Sequence, residues 1–583
     1  METALPSASV KNYIEVPPGS DSKSLMDQYL DKPEEGHPMT QPLQRTLQDD
    51  LQESLQDGAQ DHARRILCVF PRYTSSFATF EHSYELTAGI EACMPPQGLL
   101  VIASILPKDW QVRFIDENMD TAQDSDFAWA DAIFVSGMHI QRWQIDEICR
   151  RAHRHDKPVA LGGPSVSACP DYYPAADYLH LGELGDATEQ LIDILSRSVT
   201  RPGRQMVLKT QTRRDLSEFP VPAYELAKIN RYLIGTIQFS SGCPYRCEFC
   251  DIPGLYGRVP RIKTAEQITA ELDKLLACGV IGQIYFVDDN IIGNRAAIAQ
   301  LLPHLIAWQK RTGYAVSFAC EATLNIARHP EILAQMREAA FDVIFCGIET
   351  PEPEALKGMD KKHNLVMPIL DSVQAINSYG MQVVSGIILG LDTDSLQTGR
   401  RILEFIRQSN IPMLTINLLQ ALPQTPLWDR LAQTNRLDHD ESRESNVRFL
   451  LPYEDVVAMW RECMDEAYDP ERLYERYEQM MRATWPNRLR RPLSKARLSP
   501  ANARRGLTML AKVLWKLGVR GDYRRPFWRF TLPRLLRGDI EAILTVAISA
   551  HHLIMFARDC RQGRVNASNY SPKLRIGEEP VTQ

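Results

Sequence analysis

The sequence lacks the features that mark several large classes of protein. Its 583 residues include only 12 cysteines, too sparse for the disulfide framework of a small secreted scaffold. The 66 Lys and Arg are outnumbered by 73 Asp and Glu, and the net charge of −7 excludes a chain that is basic throughout. The longest uncharged apolar run, residues 542–557, has 16 residues. A membrane-spanning helix needs about 20, so an integral membrane protein is not expected.

The N-terminal sequence also lacks a targeting or core-forming pattern. It opens Met1-Glu2-Thr3-Ala4, with neither the basic region nor the apolar segment of a secretory signal, which predicts a cytoplasmic protein. Residues 1–61 have too few apolar side chains to offset the entropy of ordering, and they are predicted to form a disordered arm. Leucines at every fourth position from Leu43 to Leu55 favour a frayed helix there over a helix that docks on a partner.

The 583 residues of the chain suggest about three to four domains. In the part that follows the predicted arm, short apolar runs alternate with helical segments. Runs at 66–70, 112–115, 132–135 and 159–161 each end at a turn signal. This pattern predicts an α/β fold in which a doubly wound parallel sheet spans residues 62–200. A ligand of such a sheet lies beyond the carboxyl ends of its strands, where Gly162, Gly163, Ser165 and Gly182 are the candidates. Simple βα turns explain the same glycines equally well.

A second βα series follows a break in the pattern. Residues 201–231 are basic, contain three prolines and lack sustained periodicity, so they are predicted to link two domains. Six further strands are predicted at 236–240, 283–287, 316–319, 343–347, 382–389 and 413–419, with helices between them such as 264–277, 295–311 and 395–408. They indicate a partial (β/α)6 barrel over 232–430. Residues 431–583 lose the strand pattern and predict a mainly helical region with helices at 453–467 and 470–483.

The most specific motif is the C-x3-C-x2-C spacing of Cys243, Cys247 and Cys250, directly after the first strand of the second series. Closed structural zinc takes four protein ligands, and no fourth Cys or His follows at a finger-like spacing. An iron–sulfur cluster with one iron open to another ligand fits three cysteines better. The nine other cysteines are scattered singly and are assigned to packing.

With Phe249 just before the last cysteine, this loop resembles the signature of the radical S-adenosylmethionine enzymes, whose partial barrel the six βα units also fit. The resemblance implies that Cys243, Cys247 and Cys250 bind three irons of a [4Fe–4S] cluster. It implies that S-adenosylmethionine chelates the fourth iron and is cleaved by one electron to methionine and a 5′-deoxyadenosyl radical. That electron would come from a low-potential donor of the flavodoxin or ferredoxin type.

Other matches to this family lie at the ends of predicted strands, where barrel chemistry is found. Asp288 and Asp289 occupy the place of the family's second-strand motif, which contacts the methionyl amine. Glu321 follows the third strand and is a further candidate for a cofactor contact, although an isolated carboxylate could equally be structural.

The later strands carry two more motifs of the family. Glu349 lies in a Gly-Ile-Glu-Thr segment similar to the fourth-strand motif, and Gly386 and Gly390 follow the fifth-strand G-x-I-x-G pattern. The resemblance implies that these residues contact S-adenosylmethionine. The acidic residue expected three positions after Gly390 is Thr393 here, which leaves the aspartates on either side of it as substitutes.

The upstream doubly wound domain makes the chain resemble the cobalamin-dependent branch of this superfamily. Segments 94–99, 251–258 and 286–290 are similar to those of the hopanoid C-2 methyltransferases. The resemblance implies that methylcobalamin donates a methyl group to C-2 of a hopanoid, a polycyclic lipid, and that the glycine loops of the first domain enclose cobalamin. A histidine ligand to cobalt is not expected, since no D-x-H-x-x-G motif is present. A nicotinamide domain is disfavoured because no G-x-G-x-x-G follows the first strand.

Two other functions fit the same motifs. An enzyme of the same branch could act on a tetrapyrrole or antibiotic intermediate, as a methylase or a cyclase. A protein of another class would carry the cluster as a structural element and bind RNA or serve as a scaffold. The open fourth iron argues against this last alternative.

Positive charge is concentrated near the C-terminus. Residues 481–540 contain 16 Lys and Arg and only two Asp, a net charge of 16 − 2 = +14. Residues 507–516 predict a basic amphipathic helix with Trp515, typical of a helix in the interface of an anionic membrane. A membrane is favoured over nucleic acid as the partner because no RNA-binding module accompanies the segment. The alternative is a charged helix face that is exposed to solvent and binds nothing. The expected location is therefore peripheral, at the inner face of the cytoplasmic membrane.

Overall fold

The computed structural model describes residues 13–16, 63–280, 282–440, 442–492 and 499–565. Most of the predicted N-terminal arm, with its leucine repeat, lies outside these residues. The chain forms two compact units. The first comprises Met1–Pro71, Ile102–Met138 and Gln144–Arg214, and the second comprises Arg72–Val101, His139–Trp143 and Asp215–Gln583.

The first unit is built on a seven-stranded sheet. Its strands are β1 Tyr13–Val16, β2 Arg65–Phe70, β3 Gln111–Asp116, β4 Ala132–Ser136, β5 Val159–Gly162, β6 Tyr178–Leu181 and β7 Gln205–Lys209. Their order is β1-β7-β6-β5-β4-β2-β3, and every neighbouring pair is parallel. The order reverses at β2, which is the arrangement of a doubly wound sheet. The predicted fold class is confirmed.

Helices cover this sheet because its central strands β2, β4, β5 and β6 are buried nearly throughout. The helices in this part of the chain are α1 Gln97–Ile105, α2 Asp124–Trp129, α3 Arg142–Arg154, α4 Pro164–Ala168 and α5 Asp186–Arg197. Leu67, Ile133 and Leu161 of three strands pack in one core with Phe127 and Ile148 of two helices, and each is at most 1% exposed.

Three predicted boundaries differ from the structure. β1 lies within the predicted disordered arm and pairs in parallel with β7. β7 itself lies in the predicted linker of 201–231. Residues 72–101, predicted to belong to the first domain, belong to the second unit, where the carbonyl of Pro95 accepts a hydrogen bond from Thr236 Oγ1 at 2.9 Å. The pairing of a short segment with a strand far away in sequence leaves no local pattern to predict it from.

The second unit contains a six-stranded parallel sheet and a small antiparallel pair. Its strands are β8 Gly235–Ile237, β9 Ser240–Ser241, β10 Arg261–Ile262, β11 Gln283–Phe286, β12 Ser317–Glu321, β13 Phe341–Glu349, β14 Gln382–Leu389 and β15 Leu414–Leu418. β9 pairs with β10, and the others follow the order β8-β11-β12-β13-β14-β15. Each strand of the larger sheet thus lies beside the next one in sequence, as in an open barrel. The helices between these strands are α6 Ile252–Leu255, α7 Ala265–Ala277, α8 Arg295–Thr312, α9 Pro330–Glu338, α10 Pro353–Gly358, α11 Ile369–Ser378 and α12 Thr398–Ser409.

The rest of the second unit is helical, as predicted. Its helices are α13 Pro426–Gln433, α14 Tyr453–Ala467, α15 Pro470–Thr484, α16 Pro500–Val513, a π-helical segment Leu514–Arg520, α17 Arg524–Leu536 and α18 Ile540–Arg561. By length and composition α18 could cross a membrane, but 67% of its most apolar window is buried inside the protein. His551 and His552 of α18 hold segment 72–101 through Glu85 Oε1 (2.8 Å) and the carbonyl of Phe77 (3.0 Å). In this structure α18 therefore serves as a core helix of the second unit.

Candidate functional site

The cysteine loop, residues 241–250, begins in the short strand β9, just after the first strand of the open barrel. Cys243, Cys247 and Cys250 are all half-buried. Burial raises the pKa of each thiol, and part of the shift at Cys250 comes from the charges of the other two cysteines. The three thiols are therefore close enough in space to interact electrostatically.

The donor set of the cysteine loop is three thiols. Among the residues that the structure describes, no three His, Cys, Asp or Glu side chains converge closely enough to hold one ion. A [4Fe–4S] cluster has no such requirement, because each thiolate binds a different iron at a different corner. Three neighbouring thiols on one short loop are the donor set that such a cluster needs.

Two aspartates after β11 hold the backbone that enters the cysteine loop. Asp288 is fully buried and accepts hydrogen bonds from Phe239 N–H (3.0 Å), Ser240 N–H and Ser240 Oγ. Asp289 accepts one from Gly242 N–H (2.8 Å), the residue before Cys243. Burial raises the pKa of Asp288 to about 6, although the hydrogen bonds from Ser240 and Phe239 act in the opposite direction. The carboxylate of Asp288 therefore supports the loop, and its contact with the cofactor stays a prediction.

A buried ion pair lies beside the cysteine loop. Lys361 Nζ donates to Glu349 Oε1 at 2.6 Å, and both side chains are nearly inaccessible. Burial alone would lower the pKa of Lys361, but Glu349 and the neighbouring Cys247 raise it above its ordinary value. The ammonium lies 5.6 Å from the centre of the Phe249 ring. Lys361 therefore brings one positive charge to a loop of three thiols, and sequence reasoning missed it.

Gly386 and Gly390 are positions where a side chain has no room. A Cβ at Gly386 would lie 3.0 Å from Thr415 Oγ1 and 3.6 Å from Glu349 Oε2. Gly390 has a φ of +92°, and a Cβ there would meet the ring of Phe449. Close packing therefore explains both glycines, against Thr415 and Glu349 at Gly386 and against Phe449 at Gly390. The contact of this motif with S-adenosylmethionine stays a prediction.

Glu321 ends β12 and accepts a hydrogen bond from Tyr285 OH at 3.2 Å. Burial, followed by the charge of Asp289, raises the pKa of Glu321 to about 7. Glu321 and Asp289 thus belong to the same cluster of carboxylates at the carboxyl ends of the strands. Both stay candidates for a cofactor contact.

An arginine from the helical region holds the middle of the cysteine loop. Arg430 of α13 binds both carboxylate oxygens of Glu248, with Nη2 to Oε2 at 3.1 Å, and donates to Asp392 Oδ2 at 2.6 Å. Arg436 binds Asp392 Oδ1 at 2.6 Å. The backbone of Glu248 is fixed too, because its carbonyl accepts from Leu427 N–H at 2.9 Å. Glu248 lies between two of the cysteines, so α13 and the cysteine loop are one assembly.

This network also accounts for the two aspartates that flank Thr393. Asp392 is occupied by the two arginines, and Asp394 accepts from Gly390 N–H at 2.7 Å and Leu391 N–H at 3.1 Å. Both therefore hold the loop after β14, and neither is placed here as a substitute for the family's acidic residue.

We expect Arg430→Ala to loosen the cysteine loop. The side chain is 40% exposed, so the cost in stability is only about 1 kcal/mol, but the loss falls on the loop that carries the cysteines. The reconstituted variant should release iron and sulfide faster than the wild type during anaerobic gel filtration. Arg401→Ala is the matched control, since Arg401 pairs with Glu352 at similar exposure. Equal iron retention in the two variants would contradict the role of Arg430.

In the first unit, the predicted loop residues meet at the carboxyl edge of the sheet. Gly163 (φ +104°) and Gly182 (φ +94°) adopt conformations that favour glycine. Ser167 ties their loops together, since its Oγ donates to Gly163 O at 2.8 Å and accepts from Gly182 N–H at 2.9 Å. Gly162 ends β5 beside them. Glycines that bring bare backbone to this edge fit the approach of a large ligand such as cobalamin.

Two side chains of this edge point into the protein. Ser165 is 1% exposed and shares a hydrogen bond with Tyr173 OH, so it supports the loop from inside. His180 Nε2 lies 2.9 Å from Thr188 Oγ1, and burial lowers the pKa of His180 to about 4. The predicted contact of Ser165 with cobalamin therefore requires a change in this packing.

Comparison with known proteins gives matches along most of the chain. The model of the B12 binding domain matches residues 86–192, that of the radical SAM superfamily matches 237–406, and that of a domain of unknown function matches 425–566. The hopanoid C-2 methylase of Rhodopseudomonas palustris (strain TIE-1) is 62% identical over 519 residues, which cover 89% of this chain and 98% of the relative. An uncharacterized methyltransferase of Synechocystis sp. is 34% identical over 85% of this chain and 93% of its own length.

A solved structure shares the fold. It is the cobalamin-dependent S-adenosylmethionine radical enzyme OxsB with aqua-cobalamin and S-adenosylmethionine bound. The TM-score is 0.53 at 17% identity, over 88% of this chain and 82% of that chain. At this low identity, the comparison shows that the two chains share a fold.

Proposed function

This chain belongs to the hopanoid C-2 methylase family of cobalamin-dependent radical SAM enzymes, and we propose that its substrate is a hopanoid, which it methylates at C-2. It is a methyltransferase whose cofactors are a [4Fe–4S] cluster, S-adenosylmethionine and cobalamin. The observation that carries the substrate assignment is the 62% identity, because it extends over 519 residues. The aligned residues thus include residues of the helical region as well as the two cofactor domains.

The chemistry of the substrate explains why such cofactors are needed. A saturated ring carbon carries a C–H bond that no side chain can deprotonate, so acid–base catalysis cannot activate it. When bound, the cluster with S-adenosylmethionine supplies a radical and cobalamin supplies the methyl group. We assign Cys243, Cys247 and Cys250 to three irons. Asp288 and Arg430 hold that loop, and the loops of Gly163 and Gly182 receive cobalamin.

The lipid profile of a host tests the substrate. We expect a bacterium that makes hopanoids but no 2-methylhopanoids to accumulate hopanoids heavier by one CH2 when it expresses this chain together with its native electron carriers. Fragmentation should place the added carbon on the A ring. The same strain expressing Cys250→Ala is the control. Unchanged hopanoids in a strain that contains the holoenzyme would contradict the substrate assignment. A methylated tetrapyrrole instead would favour the alternative enzyme.

We further propose that the protein reaches this lipid from the membrane surface. An apolar stripe runs along α16 and the π-helical segment, where Leu507, Ala511, Trp515 and Val519 recur every four residues and are all exposed. Leu507 is 68% exposed and Trp515 is 53% exposed. Exposed arginines accompany the stripe, among them Arg504 and Arg520. Apolar side chains flanked by arginine suit the interface of an anionic bilayer, which is the occupant that this charge favours.

The structure corrects the set of residues available for this contact. Lys512 donates to the carbonyl of Thr87 at 2.6 Å, and Lys516 pairs with Glu85, so both ammonium groups are engaged inside the second unit. Trp528 is half-buried, and it donates its Nε1–H to Gly518 O at 2.9 Å. Trp515 keeps its predicted place at the surface.

Arg504→Glu/Arg520→Glu should weaken the binding of the full-length protein to anionic liposomes by at least about tenfold, since each cation near such a surface contributes roughly 1 kcal/mol. Arg400→Glu/Arg461→Glu is the control with the same change in net charge on α12 and α14. High salt should weaken binding of the wild type only in part, because it screens the arginines and not Trp515. Equal binding by the two double variants would refute the membrane contact.

A further inference from the structure

Exposed positive charge surrounds the outer side of the cysteine loop. Arg246 lies within the loop, between the first two cysteines, and is exposed. Arg258 is also exposed, and its Nη2 donates to the carbonyl oxygen of Pro244 at 3.2 Å. Cys243 N–H donates to Gly257 O at 3.2 Å, so the segment of Arg258 lies against the first cysteine. Two exposed arginines therefore lie on, or directly against, the loop that would carry the cluster.

Arg295 approaches the same place from α8. A Cβ at Gly293 would lie 3.1 Å from Pro260 and 3.4 Å from Pro244, so the backbone before α8 packs directly on both segments named above. Arg295 follows two residues later and is exposed.

Arg328 completes the group from the segment after β12. Asn325 Nδ2 donates to Tyr245 OH at 2.8 Å, which places this segment on the cysteine loop. Arg328 is exposed, and its neighbour His329 lies 3.2 Å from Arg295 through Nε2 and Nη1. Four exposed arginines thus lie on the cysteine loop or on segments that pack on it or beside it.

The surface between these arginines is suited to a protein partner. Val259 is 80% exposed and lies directly beside Arg258. The segments 244–246, 257–260, 293–295 and 325–331 contain a single acidic residue, Glu331. We call Arg246, Arg258, Val259, Arg295 and Arg328 the basic rim. An exposed apolar side chain accompanied by charges of one sign is typical of a surface that binds a protein of opposite charge.

We propose that the basic rim is the docking surface of an acidic, low-potential one-electron carrier protein, which reduces the cluster. The inference rests on the proposed function only in requiring a cluster on the three cysteines. The carrier loses one electron and the cluster gains it, and no bond or proton is exchanged. Each turnover of a radical SAM enzyme consumes an electron, and the half-buried cysteine loop comes to the surface at the basic rim. Positive charge there would orient an acidic carrier and speed its encounter with the protein.

The test compares a protein donor with a small chemical donor on the reconstituted full-length enzyme. Arg246→Glu/Arg258→Glu should raise the concentration of reduced flavodoxin that gives half-maximal cluster reduction by about tenfold or more. Reduction by dithionite should stay within about twofold of the wild type, since a small reductant needs no docking surface. Arg246→Lys/Arg258→Lys should restore the response to flavodoxin, and Arg400→Glu/Arg461→Glu should leave it unchanged. Cluster reduction is followed by its electron paramagnetic resonance signal, without lipid.

The outcomes separate this inference from the proposed function. Rising salt should slow flavodoxin-driven reduction of the wild type and have little effect on the variant with glutamates. An unchanged flavodoxin requirement in that variant would overturn the inference, and so would equal losses with flavodoxin and dithionite, because the arginines would then act on the cluster itself. A wild type that is reduced normally but methylates no hopanoid would refute the substrate and leave the docking surface intact.

Discussion

Cys250→Ala should abolish both the [4Fe–4S] cluster and the cleavage of S-adenosylmethionine. Each thiolate is assigned to a different iron, so the loss of one leaves a second iron without a protein ligand. Cys243→Ala and Cys247→Ala should have the same effect, since all three lie on one half-buried loop. The reconstituted variants should lack the broad absorbance of the cluster, and they should form no 5′-deoxyadenosine with excess dithionite.

Cys278→Ala is the matched control for these variants. Cys278 is also half-buried, but it caps α7 outside the cysteine loop. Its replacement should leave iron content and cleavage at the level of the wild type. A full complement of iron and normal cleavage in Cys250→Ala would contradict the assignment of the cluster, as would an equal loss in Cys278→Ala.

Asp288→Ala should be the most damaging change outside the cysteines. It leaves the N–H groups of Phe239 and Ser240 and the hydroxyl of Ser240 without their acceptor, in a place where Asp288 itself is fully buried. An unpaired buried donor costs about 1–3 kcal/mol, so three of them should lower the free energy of unfolding by about 3 kcal/mol or more. Since the same residues lead into the cysteine loop, cluster assembly should fall with stability.

The melting temperature of the apoprotein measures the first effect, and iron content after reconstitution measures the second. Glu354→Ala is the control, because Glu354 is 76% exposed and pairs with Lys357 at i,i+3. It should change neither quantity, as exposed pairs contribute little. An Asp288→Ala protein with the melting temperature and iron content of the wild type would show that the carboxylate does not support the loop.

The parts of the fold that could be predicted are those with a local pattern. The strand predicted at 382–389 is β14, and the helix predicted at 453–467 is α14, because hydrophobic periodicity and turn residues mark both. The cysteine loop was predictable for the same reason, since its spacing of three cysteines lies within one short segment.

The parts that could not be predicted depend on partners far away in sequence. Lys361 pairs with Glu349 twelve positions away, and Arg430 reaches Glu248 across 182 positions. Nothing near either basic residue in the sequence distinguishes it from a solvated surface charge. Asp288 lies in a sequence motif, but only the structure shows that it is buried and accepts hydrogen bonds from three donors. Sequence alone therefore identified the cysteine loop, and the residues that hold this loop became visible only in the structure.

The measurement that tests the central claim most directly uses the purified, fully loaded enzyme under anaerobic conditions with a hopanoid, a one-electron reductant and S-adenosylmethionine labelled in its methyl group. The account predicts a hopanoid that carries the label at C-2, with one 5′-deoxyadenosine and one S-adenosylhomocysteine formed for each labelled lipid. Formation of 5′-deoxyadenosine without labelled hopanoid, from an enzyme that holds its cluster and cobalamin, would contradict it.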